Sequence, residues 1–138
     1  MGVLRLAVGP PAVIAAILLV AFAPAGSRAA DWSKVQTVTV VTVEYAFKPN
    51  TLTFHKGVAY RLHLDNQGRE QHEFTAPDFF KAIHIRNPKI VNADLTEIVV
   101  EPGEQKDLYF VAQRPGSYKL ICSDHDWAGM TGDITIAP

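Results

Sequence analysis

From residue 35 onward the chain is cut into short apolar segments by turn signals, leaving little room for a helix of ordinary length. Residues 35–43 are rich in Val and Thr with partial period-two alternation, which is the pattern of a strand. Phe47, Lys48, Pro49 and Asn50 punctuate it. A second strand over 51–54 ends at the turn of His55, Lys56 and Gly57, and residues 58–65 alternate again with Tyr60, Leu62 and Leu64 on one face. Asn66, Gln67 and Gly68 close that segment, and a short strand over 71–75 is stopped by Pro77. Residues 98–101, 105–112 and 117–122 read as strands separated by the pairs Pro102-Gly103 and Pro115-Gly116, and 133–137 is the last. Residues 77–94 have no regular period and read as one long loop with a helical turn near 79–85. About eight short strands predict an all-β fold, a β-sandwich whose usual wiring is the Greek key.

The N-terminal stretch carries one positive charge, Arg5, then an apolar run over 12–22, then helix-breaking Pro24 and Gly26. That order reads as a secretory signal. Small residues Ser27 and Ala29 stand where a signal peptidase inspects the chain, so the expected cut follows Ala29, with Ala30 as the other option. The apolar core is shorter than the roughly 20 residues that span hydrocarbon, and no cysteine follows it to accept a lipid. Residues 1–29 are therefore expected to be a signal peptide and 30–138 one compact domain. Losing Arg5 and Arg28 leaves eleven basic against fourteen acidic residues, a net charge of −3. So mild an acidic balance argues against nucleic acid and anionic membrane surfaces as partners. The expected product is an exported monomer, free of the membrane after cleavage and periplasmic in a cell with an outer membrane.

Sulfur usage narrows the chemistry. An exported domain of this size ordinarily pairs its cysteines, yet Cys122 is alone and can form no internal disulfide. A lone thiol in an oxidising compartment needs something to hold it. Met1 leaves with the signal, so Met130 is the one other sulfur, eight residues further on. The segment from Cys122 through His125 to Met130 thus offers thiolate, imidazole and thioether from a single loop. That set suits copper, and a trigonal His₂Cys site with a weak axial Met describes an electron-transfer copper centre. Two residues between Cys122 and His125 let the chain turn back so that both side chains face one point. Gly129 supplies the freedom in φ to swing Met130 underneath, and Gly132 lets the chain leave closely packed.

A compact loop cannot surround an ion alone, so a second imidazole must come from elsewhere. His72 is the choice, on a short strand whose inward face would carry His72 and Phe74. His63 shares a polar face with Arg61 and Asp65, and His55 sits in a turn beside Lys56. His84 stays open, because Ile83-His84-Ile85 lies in the irregular span that could fold over the site. Trp127 reads equally well as a surface aromatic for a partner or as a lid over the site.

The spacing Cys-x₂-His-x₄-Met, followed by Thr131-Gly132 and a terminal strand, resembles the type 1 copper loop of the plastocyanin and pseudoazurin branch of the cupredoxin family. The likeness runs upstream through Pro49, Asn50, Leu52, Gly57, His72, Pro102-Gly103, Pro115-Gly116 and Tyr118, covering nearly all of the chain after the signal. The resemblance implies an eight-stranded Greek-key sandwich with copper near one end. It implies His72, Cys122, His125 and Met130 as ligands and a shuttle between Cu(I) and Cu(II). One departure is Glu73, where many such proteins carry Asn just after the first histidine, because an ionised carboxylate cannot donate that hydrogen bond. The His72-Glu73-Phe74 wording is instead similar to cupredoxin-like domains of periplasmic metal-uptake proteins. Asp124 and Asp126 also add charge where plastocyanin-like proteins tend to be apolar.

The expected function is one-electron transfer between a redox donor and acceptor, and not catalysis. The alternative is a copper or iron binding and trafficking protein that serves a metal transporter. A multicopper enzyme would need more histidines than the chain has. A binuclear oxidase-type copper site would want two bridging thiolates, and only Cys122 exists. A metal-free binding module is the remaining alternative.

Overall fold

A computed structural model of the chain describes residues 1–3 and 29–138. The signal peptide expected over 1–29 falls almost wholly outside them. Among the described residues no helix is long and apolar enough to cross a membrane.

In the described residues ten strands form two five-stranded sheets. The first sheet takes β1 (Gln36–Val43), β2 (Ala46–Lys48), β4 (Ala59–Asn66), β6 (Ile83–Ile85) and β8 (Gln105–Ala112), in the order β2-β1-β4-β8-β6. The second takes β3 (Thr51–His55), β5 (His72–Thr75), β7 (Glu97–Val100), β9 (Gly116–Ile121) and β10 (Thr131–Ala137), in the order β3-β10-β9-β5-β7. The chain alternates between the layers from β2 to β9, so β1 pairs with β4, and β3 with β10, as parallel neighbours; the other pairs are antiparallel.

Two of the ten strands correct the expectation of about eight. β2 occupies part of what reads as punctuation, and β6 lies inside the span 77–94 that shows no period. β6 is a three-residue edge strand made by pairing Ile83–Ile85 against Phe110, Val111 and Ala112 of β8. Three residues are too few to display alternation. The helical turn is real but earlier and shorter than expected: α1 (Pro77–Phe80) starts on a proline, which suits the first helical position.

Alternation puts the apolar side chains between the layers. Tyr60, Leu62 and Leu64 of β4 face Leu52 and Phe54 of β3, Leu120 of β9 and Ile134 and Ile136 of β10, all buried. Phe54 meets Tyr60, Phe110 and Phe79 at ring-centroid distances of 4.8, 5.1 and 5.6 Å. Each fully buried side chain of this kind contributes about 1.5–3 kcal/mol. Pairing registers place His55, Ala112 and Gly116 at one end of the sandwich and Asn66, Gln105, Ile121 and Thr131 at the other. β1, β4 and β9 end at that second end, and the loops leaving them, with the start of β5, build the site.

Candidate metal centre

Cys122 follows the last residue of β9, and the segment after it closes on itself. The His125 N–H donates to the Cys122 carbonyl at 3.1 Å, and the Cys122 N–H donates to the Met130 carbonyl at 3.0 Å. A single 3-10 turn (Asp126–Ala128) fills the middle and ends on Gly129 at φ 80°, a left-handed conformation that glycine adopts without penalty. Gly132 is needed for space: a methyl group there would collide with the backbone carbonyl of Asn50. Both glycine roles expected from the sequence therefore hold.

The loop brings His125 beside Cys122, and His72 joins them from the start of β5; Met130 is tied to Cys122 and His125 through backbone hydrogen bonds. Nδ1 of His125 lies 3.4 Å from the Cys122 Sγ, and Nδ1 of His72 lies 3.9 Å from it. The donor atoms of His72, Cys122 and His125 all fall within 4.8 Å of one another. The imidazole rings stand 5.1 Å apart at 67°. Donors bound to one ion at about 2.0–2.3 Å stand roughly 3–4 Å apart, so the arrangement fits a metal without large movement. His72, Cys122 and Met130 are fully buried. His63, His55 and His84 lie elsewhere: His63 bonds Asp107 beside Arg61 on the outer face of β4, His55 ends β3 at the far end, and His84 is exposed on β6.

Burial lowers the His72 pKa below the imidazole norm, so its ring is neutral and its Nδ1 can carry a lone pair toward the sulfur. Burial pushes the Cys122 thiol up to about 11. The thiolate a soft metal needs is therefore formed only as the metal displaces the proton.

Glu73 has a role its sequence position does not reveal. It is almost fully buried, its Oε2 accepts from the Cys122 thiol at 3.0 Å, and its backbone N–H donates to the same sulfur at 3.4 Å. The sulfur thus receives its donor from the main chain of Glu73, whose ionised side chain cannot donate. Burial raises the Glu73 carboxyl, but donors from Gln71, Cys122 and Asp124 outweigh it and hold the group below the usual carboxylate range.

Sequence reasoning missed three further residues. Glu44, just past β1, accepts from the Arg69 N–H and from the Glu70 N–H at 3.0 Å, and sits 3.6 Å from the His72 Nε2, too long for a hydrogen bond. Glu70 places Oε2 2.8 Å from the His125 Nε2, and its Oε1 accepts from the Tyr45 hydroxyl at 3.2 Å. The Tyr45 ring lies 4.8 Å from the His125 ring and 5.9 Å from that of Trp127, which is 76% exposed. Trp127 is thus a surface aromatic at the rim, not a lid. No spacing rule links residues 44, 45 and 70 to residue 125. Only Gly68 hints at the crowding, because a side chain there would collide with Glu44 and press on His72.

A β-sandwich with imidazole and thiolate donors converging at one end defines a class, and the chain belongs to the cupredoxin-like domain family, whose model matches residues 12–136. The donor set fits one type 1 copper ion. The chain is 24% identical over 103 residues, 72% of its length, to cytochrome c oxidase subunit 2 of Thermus thermophilus, and spans 64% of that relative. Among solved structures it is similar to auracyanin B, at 26% identity and TM-score 0.55 over 74% of this chain and 88% of that one. Auracyanin from Roseiflexus castenholzii, at 19% identity and TM-score 0.56, is covered over 97% of its length by 74% of this chain. Auracyanin A of Chloroflexus aurantiacus, a "blue" copper protein, gives 18% and 0.54 over 75% of this chain and 99% of that one. The last two likenesses concern the fold.

Proposed function

We propose that this protein is an exported one-electron carrier in which His72, Cys122, His125 and Met130 hold a type 1 copper ion. The observation that carries the reading is the convergence of two imidazoles and one thiol, whose donor atoms lie within 4.8 Å of one another, at the loop end of the sandwich. Copper, when bound, supplies one-electron chemistry between Cu(I) and Cu(II). The protein's part is to keep the donors still. β5 fixes His72, and the hydrogen-bonded closure of 122–130 fixes Cys122, His125 and Met130, so little has to move as charge changes. His72 and Cys122 are fully buried, which keeps water from the donors and helps set the potential. Met130, which follows Gly129 in the same loop, would supply the fourth donor, a thioether. Likeness to auracyanin B supports this reading, and export, in a periplasm where one exists, accords with the N-terminal pattern.

One observation favours a second reading. Glu73 puts a buried carboxylate 3.0 Å from the sulfur, and a hard oxygen donor there would suit a protein that binds copper or iron as cargo for a transporter.

Adding Cu(II) to the purified domain tests the first reading. An intense thiolate-to-copper band is expected in the visible spectrum, absent in Cys122→Ser; Met130→Leu should keep the band and raise the potential. No band in the wild type would sink the carrier assignment. A metal surrendered at once to a competing chelator would favour cargo.

A further inference from the structure

We propose that Glu70 is the positioning residue of His125: its carboxylate holds the proton on Nε2 and aims Nδ1 at Cys122. The metal consequences rest on the copper reading above, but the ring geometry does not. A neutral imidazole keeps one ring nitrogen protonated, and the hydrogen bond made there decides which nitrogen is free to donate. Nδ1 of His125 faces the sulfur at 3.4 Å, so the free lone pair is useful only if the proton sits on Nε2. That nitrogen meets Glu70 Oε2 at 2.8 Å, a good distance for a charge-assisted hydrogen bond.

Glu70 is itself fixed from both sides of its backbone. Its N–H donates to Glu44 Oε1 at 3.0 Å, and its carbonyl accepts from the Asn66 side-chain amide at 2.8 Å. Asn66 is fully buried, gives a second hydrogen bond to the Val100 carbonyl at 2.8 Å and accepts from the Gly68 N–H at 2.9 Å, which ties the loop to β7. The free oxygen of Glu70 takes the Tyr45 hydroxyl, and the Tyr45 ring covers the imidazole. Glu70 and Tyr45 together leave His125 9% exposed. The outer edge of this imidazole is therefore held by a carboxylate rather than left open to solvent.

The test compares wild type, Glu70→Gln, Glu70→Ala and Tyr45→Phe. In the metal-free protein, nitrogen NMR shifts of the rings report the tautomer without reference to copper. The expected result is an Nε2–H tautomer with slow proton exchange in wild type, Glu70→Gln and Tyr45→Phe, and a tautomer mixture with fast exchange in Glu70→Ala. With copper, competition against a chromophoric Cu(I) chelator should show affinity lower by about 10–100-fold in Glu70→Ala, largely restored in Glu70→Gln. An unchanged tautomer and exchange rate in Glu70→Ala would overturn the proposal, and so would Glu70→Gln behaving like Glu70→Ala. If wild type binds no copper while the NMR pattern holds, the copper reading fails and the positioning role stands.

Discussion

At the Cys122 sulfur two groups of Glu73 oppose each other. The backbone N–H of Glu73 stabilises a thiolate, while its carboxylate, 3.0 Å away, repels one once the thiol proton is gone. Glu73→Gln replaces the repelling oxygen by a group that can donate to sulfur. A donor draws charge from the thiolate, which then stabilises Cu(II) less, so the potential should rise in voltammetry with the visible band retained. An unchanged or lower potential would mean that the carboxylate is turned away from sulfur in the loaded protein. The sequence alone marked residue 73 as the departure from the usual pattern. It could not show that the main chain of the same residue supplies the missing donor, because that depends on how β5 lies against the Cys122 loop.

The final strand shows how an element delivers the ligand loop to the core. β10 pairs with β9 on one side and β3 on the other, and its second residue, Gly132, packs against the Asn50 carbonyl. Gly132→Ala drives a methyl group into backbone that cannot rotate away. The expected cost is about 1–3 kcal/mol, the range for forcing extra volume into a packed site, seen as a lower thermal midpoint. Gly129→Ala should also destabilise, by about 1–2 kcal/mol, because of its left-handed backbone. The two differ in kind: Gly129 is open on its Cβ side and suffers from φ alone, whereas Gly132 suffers from contact. Strands with a polar and an apolar face were legible to within a residue or two, as in Gln105–Ala112. β2 and β6 were not, since three-residue strands exist only because a neighbour offers its edge.

For the molecule as a whole, folding and metal binding are linked through protons. The Cys122 thiol, pushed up to about 11 by burial, is protonated at neutral pH, and the neutral His72 has no proton to lose there. Binding therefore releases the thiol proton, and apparent copper affinity should rise about tenfold per pH unit between roughly pH 7.5 and 9.5, levelling near the thiol pKa. Cys122→Ser should abolish that slope, measured by chelator competition across pH. Stability of the metal-free domain runs on other groups. Asp107 is raised by burial, but Arg61 and His63 outweigh this and hold it below its ordinary value. A depressed carboxyl contributes stability that is full above its unfolded pKa of about 3.9 and is lost as pH falls through the folded value. Acid unfolding should accordingly begin at higher pH in Arg61→Leu than in the wild type.

What the amino-acid order determined by itself was everything that local spacing controls. Period-two alternation announced a sandwich, and two residues between Cys122 and His125, with a glycine before Met130, announced a loop of candidate ligands, because each follows from the geometry of a few consecutive peptides. The choice of His72 among four distant histidines could be argued only from which face of its strand it occupies. The carboxylates of Glu44 and Glu70, and the Tyr45 ring over His125, were decided by tertiary structure alone. They reach the site from loops far apart in the chain that meet only where β1 and β4 end side by side, and hydrogen bonds across such a meeting leave no period or spacing to read.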